Sequence, residues 1–291
     1  MTHILTLVAD RNATTLSPAV IERIRRAVGG GTPVILSPGE AADIPCPKAP
    51  EQAVIEAALE HAAIDAITTK ARGRRKGLLV ADMDSTIVTS ETLDELAAYA
   101  GIQAEIVAIT KRSMNGEIDF ATALRERVGM LKGLHLDALE KTWEKTQLTP
   151  GARELVATMR AHNATTALVS GGFTFFTGRV AEKIGFHVHR ANVLLDDGAA
   201  LTGDVGEPIL DRFSKLEILE ELAAERRLKL SATLAVGDGA NDLDMLAAAG
   251  LGVAFHAKPI VAAKAKARVE YGNLRALLFA QGYKASEFRS G

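Results

Sequence analysis

Four stretches in the last three-quarters of the chain are apolar without alternating: residues 77–81, 164–169, 232–236 and 251–255. A strand that shows no polar face is buried on both sides, as in a parallel sheet covered by helices. Helical periodicity fills the intervals, and residues 91–150 read almost wholly helical, with amphipathic stretches at 119–132 and 136–146. A helical block placed just after the first buried strand predicts a cap over the ligand face of the sheet. Between residues 188 and 205, Asp196-Asp197-Gly198 separates two apolar runs and predicts a hairpin.

The first seventy residues follow a different rhythm. A short apolar strand at 3–8 precedes an amphipathic helix at 17–28, which Gly29-Gly30-Gly31 stops. A strand at 33–36, a helix at 51–62 and a strand at 64–68 follow. The prediction is a small α/β domain over residues 1–72 and a main domain over 73–291, with the cap at about 92–148. The fold class is α/β, a doubly wound and mostly parallel sheet with an inserted helical cap.

Composition narrows this reading only slightly. The chain has 291 residues, a formal net charge of −2 and 47% hydrophobic residues, so nothing favours nucleic acid or an acidic membrane surface. The basic run Lys70-Ala71-Arg72-Gly73-Arg74-Arg75-Lys76 has no interleaved aromatics and reads as a solvated linker. The single cysteine, Cys46, lies between prolines and reads as a passive loop or edge residue; it can form no intrachain disulfide. The N-terminal apolar run is too short for a secretory signal, and no uncharged apolar stretch is long enough to span a bilayer. The expectation is a cytoplasmic protein.

The chemistry sits where three of the apolar runs end. In open parallel sheets the ligand lies beyond the carboxyl ends of the strands. The first run leads into Asp82-Met83-Asp84-Ser85-Thr86. Residues two apart in an extended segment point the same way, so Asp82 and Asp84 can address one site. Two such carboxylates repel unless a cation or a shared proton separates them, and oxygen ligands suit magnesium. One carboxylate can attack phosphorus while the other moves protons. The same pair also occurs as a plain strand–helix turn with an Asp cap.

Gly237-Asp238-Gly239-Ala240-Asn241-Asp242 repeats the acidic pattern after the third run. Asp238 would complete the metal's ligands and Asp242 would orient its surroundings or a bound water; Asn241 and Asp242 also precede a helix and fit its N-cap, and both roles can hold together. Ser170-Gly171-Gly172, ahead of a helix, offers a hydroxyl and small-residue amides as a phosphate cradle. Lys215, early in the helix predicted at 212–226, is a candidate charge for a phosphoryl group.

These segments, in this order, resemble the haloacid dehalogenase superfamily: Asp-x-Asp-x-Thr, a strand-terminal Ser, a Lys, then Gly-Asp-Gly-x-Asn-Asp. The closer resemblance, from residue 77 onward, is to phosphoserine phosphatases, and it adds Glu91, Phe120 and Arg127. It implies that Asp82 is nucleophile and Mg2+ ligand, and that Asp84 is general acid/base with its main-chain oxygen on the metal. It implies Asp238 as third ligand, with Ser170, Gly171 and Lys215 on the phosphoryl group and Asn241 helping to bind substrate.

Glu91 and Arg127 would then read the ammonium and carboxylate of O-phospho-L-serine, and Phe120 would close over it. One anion and one bidentate cation are what that amino acid requires. The implied reaction is the last step of serine biosynthesis. A phosphotransferase, a phosphatase of another small ester, or an inactive amino-acid sensor are the alternatives; the three intact Asp residues count against the last. Some members carry N-terminal regulatory modules of the ACT type. Residues 1–72 have a comparable mixture of strands and helices but no matching binding motif. An inert unit, or one that makes a homodimer, is as good an expectation there as a regulatory one.

Overall fold

The computed structural model describes residues 1–114 and 117–290 and resolves two main sheets. The first is built from β1 (His3–Ala9), β2 (Val34–Ser37), β3 (Ala41–Cys46) and β4 (Ile64–Lys70), all antiparallel, in the order β2-β3-β1-β4. Helix α1 (Pro18–Ala27) follows β1, and α2 (Gln52–Leu59) follows β3. This β-α-β-β-α-β path in that order is the ferredoxin-like split βαβ arrangement. Ser17 caps α1 by accepting from the Val20 N–H, and Ile21 and Ile24 face the sheet.

Strand β3 was not legible in Ala-Ala-Asp-Ile-Pro-Cys, whose proline argues against a sheet interior. It is tolerated because the β2 ladder ends at Asp43, and on that side Pro45 is engaged only through its carbonyl, which accepts from the Gly31 N–H at 2.8 Å, so no N–H is needed from it. Cys46 is therefore a fully buried strand end rather than a loop residue, its Sγ donating to the Ile44 carbonyl.

The second sheet is parallel throughout, with strands β5 (Leu78–Ala81), β6 (Thr165–Phe173), β7 (Val188–Asn192), β10 (Thr233–Gly237), β11 (Leu251–Phe255) and β12 (Ala267–Val269). Between them in sequence lies the hairpin β8 (Leu194–Asp196) and β9 (Leu201–Val205), as the Asp-Asp-Gly signal predicts. The sheet order β12-β11-β10-β5-β6-β7 reverses direction between β5 and β10. That is the doubly wound order, and its ligand crevice opens at the reversal.

Alternate residues of β5 show why its sequence is unbrokenly apolar: Leu79 and Ala81 pack into one core, Leu78 and Val80 into the other. Helices α7 (Ala152–Ala161), α8 (Thr174–Ile184) and α12 (Arg275–Ala280) pack into the first. Helices α9 (Arg212–Glu225) and α10 (Leu243–Ala248), with α11 (Pro259–Ala262), pack into the second.

The cap comprises α3 (Thr92–Ala100), α4 (Gln103–Met114), α5 (Phe120–Gly129) and α6 (Asp137–Lys145). Residues 115 and 116 of the helical stretch fall outside the described residues. The cap rests on two supports: at its base the Thr89 N–H donates to Gln147 O and the Thr149 N–H to Ile87 O, and the 133–136 segment is bonded to Ala199 and Leu201 of the hairpin.

The run at 70–76 corrects the expectation of a solvated linker. The Arg74 guanidinium is largely buried; it donates to Asp43, to Thr6 Oγ1 and to the carbonyls of Phe279 and Ala280. Arg75 stacks on Tyr283 and pairs with Glu287. A free guanidinium gains nothing from water that five aimed acceptors do not replace, so charge alone did not reveal the contact.

Candidate active site

Asp82 follows β5 and Asp238 follows β10, the two strands that flank the reversal, so the topology sets their carboxylates across one crevice. The Asp82 N–H donates to Val236 O at 3.0 Å, which ties the two strand ends together. With Asp242 these residues offer three carboxylate oxygens within 4.8 Å of one another, all buried. Gly237 is required here, because a Cβ at that position would fall onto the Asp242 carboxyl. Asp242 accepts from the Gly239 N–H at 2.9 Å.

Lys215 enters from α9, fully buried, and donates to Asp82 Oδ1 at 2.6 Å and Asp242 Oδ1 at 2.5 Å. Burial works against its charge, but Asp242 and Asp82 hold the ammonium above its ordinary range. Burial drives Asp82 well above the usual carboxylate range despite Lys215, with Asp242 and Asp238 adding repulsion. Asp238 is pushed up to about 6 by burial, opposed by Lys258 and reinforced by Asp242 and Glu91.

Three carboxylates around one buried ammonium leave excess negative charge, and the all-oxygen donor set fits a hard divalent cation.

Asp84 lies in an irregular turn, Met83–Ile87, where Ser85 adopts φ 53°. Thr92 donates to its Oδ1 through both N–H and hydroxyl, at 2.8 and 2.7 Å, and Ser170 Oγ donates to its Oδ2 at 3.1 Å. Burial, then the Glu91 charge, pushes Asp84 up to about 6 against those bonds. A carboxyl poised there can give or take a proton near neutrality.

Ser170, Gly171 and Gly172 do not end β6 as a turn; they continue it through a shift of register against β7. A Cβ on Gly172 would lie 2.8 Å from Asp84 Oδ2. Only glycine lets that strand approach so closely.

From the cap, Glu91 precedes α3 and accepts from Ser85 Oγ at 2.8 Å. Arg127 of α5 spends two donors on Ala123 O and Thr110 Oγ1, at 3.2 and 3.3 Å. Burial lowers its pKa, with Asp94 and Glu91 opposing. Phe120 leans over the Ser-Gly-Gly segment, its Cζ 3.2 Å from where a Gly171 Cβ would sit.

These side chains enclose a crevice of about 120 Å3 lined by Asp82, Asp84, Glu91, Arg127, Ser170, Gly171, Asp238 and Asn241. Every residue predicted from sequence therefore converges, Lys215 from beneath. Two residues were missed. Thr92 carried no signal beyond following Glu91. Lys258, which also lines the crevice with Nζ 3.6 Å from Asp238 Oδ2, follows the end of the fourth apolar run, and the strand-end rule pointed there.

Carboxylates at the switch point of a doubly wound sheet, under an inserted helical cap, define a capped α/β protein of the doubly wound class with an acidic, cation-suited crevice. A family model fixes the lineage: the chain belongs to the haloacid dehalogenase-like hydrolases, matched over residues 77–250. It is 41% identical over 205 residues to a phosphoserine phosphatase from Methanocaldococcus jannaschii, covering 70% of this chain and 97% of that protein. A crystal structure of a probable phosphoserine phosphatase from Vibrio cholerae superposes with TM-score 0.80 at 33% identity, over 98% of this chain and 88% of that one.

A structure described as a phospho-aspartyl intermediate analogue of phosphoserine phosphatase matches with TM-score 0.66 at 41% identity, over 70% of this chain and 98% of that one. Some curated relatives are longer, and the chain spans about half of one of them, 52%. Among the described residues, no helix is long and apolar enough to cross a membrane.

Proposed function

We propose that the protein is a magnesium-dependent phosphomonoesterase that hydrolyses O-phospho-L-serine to L-serine and phosphate through a phospho-aspartyl intermediate on Asp82. The observation that carries the reading is the meeting of Asp82 and Asp238 within one buried crevice, with Asp84 beside them at a pKa near neutrality. The similarity to phosphoserine phosphatases, one of them described as a phospho-aspartyl intermediate analogue, supports the same reading.

In the first half-reaction an Asp82 oxygen forms a bond to phosphorus as the bond to the serine oxygen breaks, and protonated Asp84 gives that oxygen its proton. In the second, Asp84 takes a proton from water, whose oxygen bonds to phosphorus and returns the Asp82 carboxylate. Asp82, Asp238 and the Asp84 main-chain oxygen would hold Mg2+, which when bound supplies charge neutralisation for the phosphoryl oxygens. Ser170, Gly171 and Lys215 hold the phosphoryl group, and Asn241 helps to bind substrate. Glu91 and Arg127 recognise the ammonium and carboxylate, with Phe120 closing the crevice.

The reaction would be the last step of serine biosynthesis. A cytoplasmic setting fits a single buried thiol. A homodimer is supported by the sheet edge at β2, where Val34 and Ile35 are exposed.

A phosphate-release assay with Mg2+ over phosphorylated amino acids, sugars and simple alkyl phosphates tests this reading. Preference for O-phospho-L-serine is expected; equal turnover of an ester lacking both the ammonium and the carboxylate would contradict it.

A further inference from the structure

The N-terminal sheet touches the catalytic half at a point that the proposed chemistry leaves unused. Asp65 of β4 is 4% exposed, and its two oxygens accept three backbone N–H groups from the far side of the interface. These are Glu270 at 2.7 Å and Tyr271 at 3.2 Å on Oδ1, and Gly272 at 2.7 Å on Oδ2. A buried carboxylate saturated by backbone donors fixes the conformation of the segment that supplies them. The Gly272 carbonyl in turn meets the His256 ring at Nε2, 2.8 Å away, and the His256 N–H donates to Val269 O at 2.8 Å.

His256 adopts φ 43°, a left-handed conformation that a non-glycine residue holds only when its surroundings impose it. Two residues further on, the Lys258 N–H donates to Asp238 O at 3.2 Å and its ammonium faces the Asp238 carboxylate at 3.6 Å. An unbroken path of hydrogen bonds and one constrained turn thus runs from the first sheet to the crevice.

We propose that Asp65 is a positioning residue for the active site: through residues 270–272 and His256 it sets the loop that holds the Lys258 ammonium against Asp238. The proposal rests on the reading of Asp82 and Asp238 as the cation site. Lys258 offsets the Asp238 charge and so opposes a divalent ion at the same carboxylate, which makes the N-terminal unit a determinant of metal affinity. Its contribution is the placement of one charge, which separates it from general support of the fold. Arg74, by contrast, bridges the same two halves through Asp43 and the carbonyls of Phe279 and Ala280, away from this path.

The experiment is calorimetric titration of the full chain with MgCl2 alone, alongside thermal unfolding. Lys258→Gln is expected to tighten Mg2+ binding by roughly three- to tenfold, a modest effect because the ammonium is partly in solvent. Asp65→Ala and His256→Ala should shift affinity in the same direction. Adding Asp65→Ala to Lys258→Gln should change affinity no further, since the two act through one group. His256→Ala leaves the Asp65 contacts in place, so it still tests the path if Asp65→Ala fails to fold.

Arg74→Ala should lower the unfolding temperature without altering affinity. Asp65 and His256 variants that lose thermal stability but bind Mg2+ as the parent does would overturn the proposal, as would fully additive effects. Binding that survives Asp238→Asn unchanged would overturn the cation-site reading itself, and this proposal with it.

Discussion

Replacing Lys215 by Met keeps most of the side-chain volume and removes only the ammonium. In the native protein that ammonium is fully buried between Asp82 and Asp242, at 2.6 and 2.5 Å. Removing one partner of a buried ion pair leaves an uncompensated charge and costs about 3–5 kcal/mol. For a protein of this size that corresponds to a loss of roughly 6–20 °C in unfolding temperature.

The deficit has a pH signature. Without Lys215, Asp82 loses its principal opposing charge and moves still further above the usual carboxylate range. Protonation relieves it, so the variant should recover stability relative to the parent as pH falls. Equilibrium unfolding of both proteins in chelator, at pH values from 5 to 8, measures this. Phosphate release should fall by about 10²–10³, the loss typical of one preorganised donor in an active site. A Lys215→Met protein as stable as the parent at every pH would show that the buried charges are balanced in some other way.

Three further outcomes follow from the same geometry. Arg127→Met should raise KM for O-phospho-L-serine by roughly 10–100-fold through loss of charge-assisted hydrogen bonds, while leaving turnover of a simple alkyl phosphate nearly unchanged. Steady-state kinetics on both esters would expose a purely structural role as an equal loss on each. Gly237→Ala should displace Asp242 from its place beside Lys215 and cost about 1–3 kcal/mol, read by denaturant unfolding; parental stability would refute the clash.

In chelator, stability should decline as pH rises from 4 to 8. Asp84 and Asp238 both stand at about 6 against an ordinary 3.8, so their contribution is complete below 3.8 and is lost as pH climbs through 6. At two units each this amounts to about 3 kcal/mol per group, and a flat profile by urea titration would refute it.

Much of the second half of the molecule was legible because parallel strands buried on both faces leave unbroken apolar runs, and chemistry collects where those runs stop. Asp82, Ser170 and Asp238 could be placed by that rule before any coordinates, and the resemblance supplied the cap pair Glu91 and Arg127. What stayed hidden depended on contacts distant in sequence. Strand β3 reads as a loop because its proline is tolerated only where β2 has already ended.

Arg74 and Asp65 look like ordinary surface charges until the two sheets are brought together. Thr92 gives no sign in the sequence that both of its donors are aimed at Asp84. Lys258 could have been found by applying the strand-end rule to β11, whose terminus carries no acidic residue to draw notice.

The central claim is that Asp82 receives the phosphoryl group. Mass spectrometry of the protein, acid-quenched during turnover of O-phospho-L-serine and then digested, tests it most directly. The account predicts one added phosphoryl group on the peptide that contains Asp82, absent in Asp82→Asn. Normal phosphate release by Asp82→Asn, or a phosphoryl group trapped on any other residue, would contradict it.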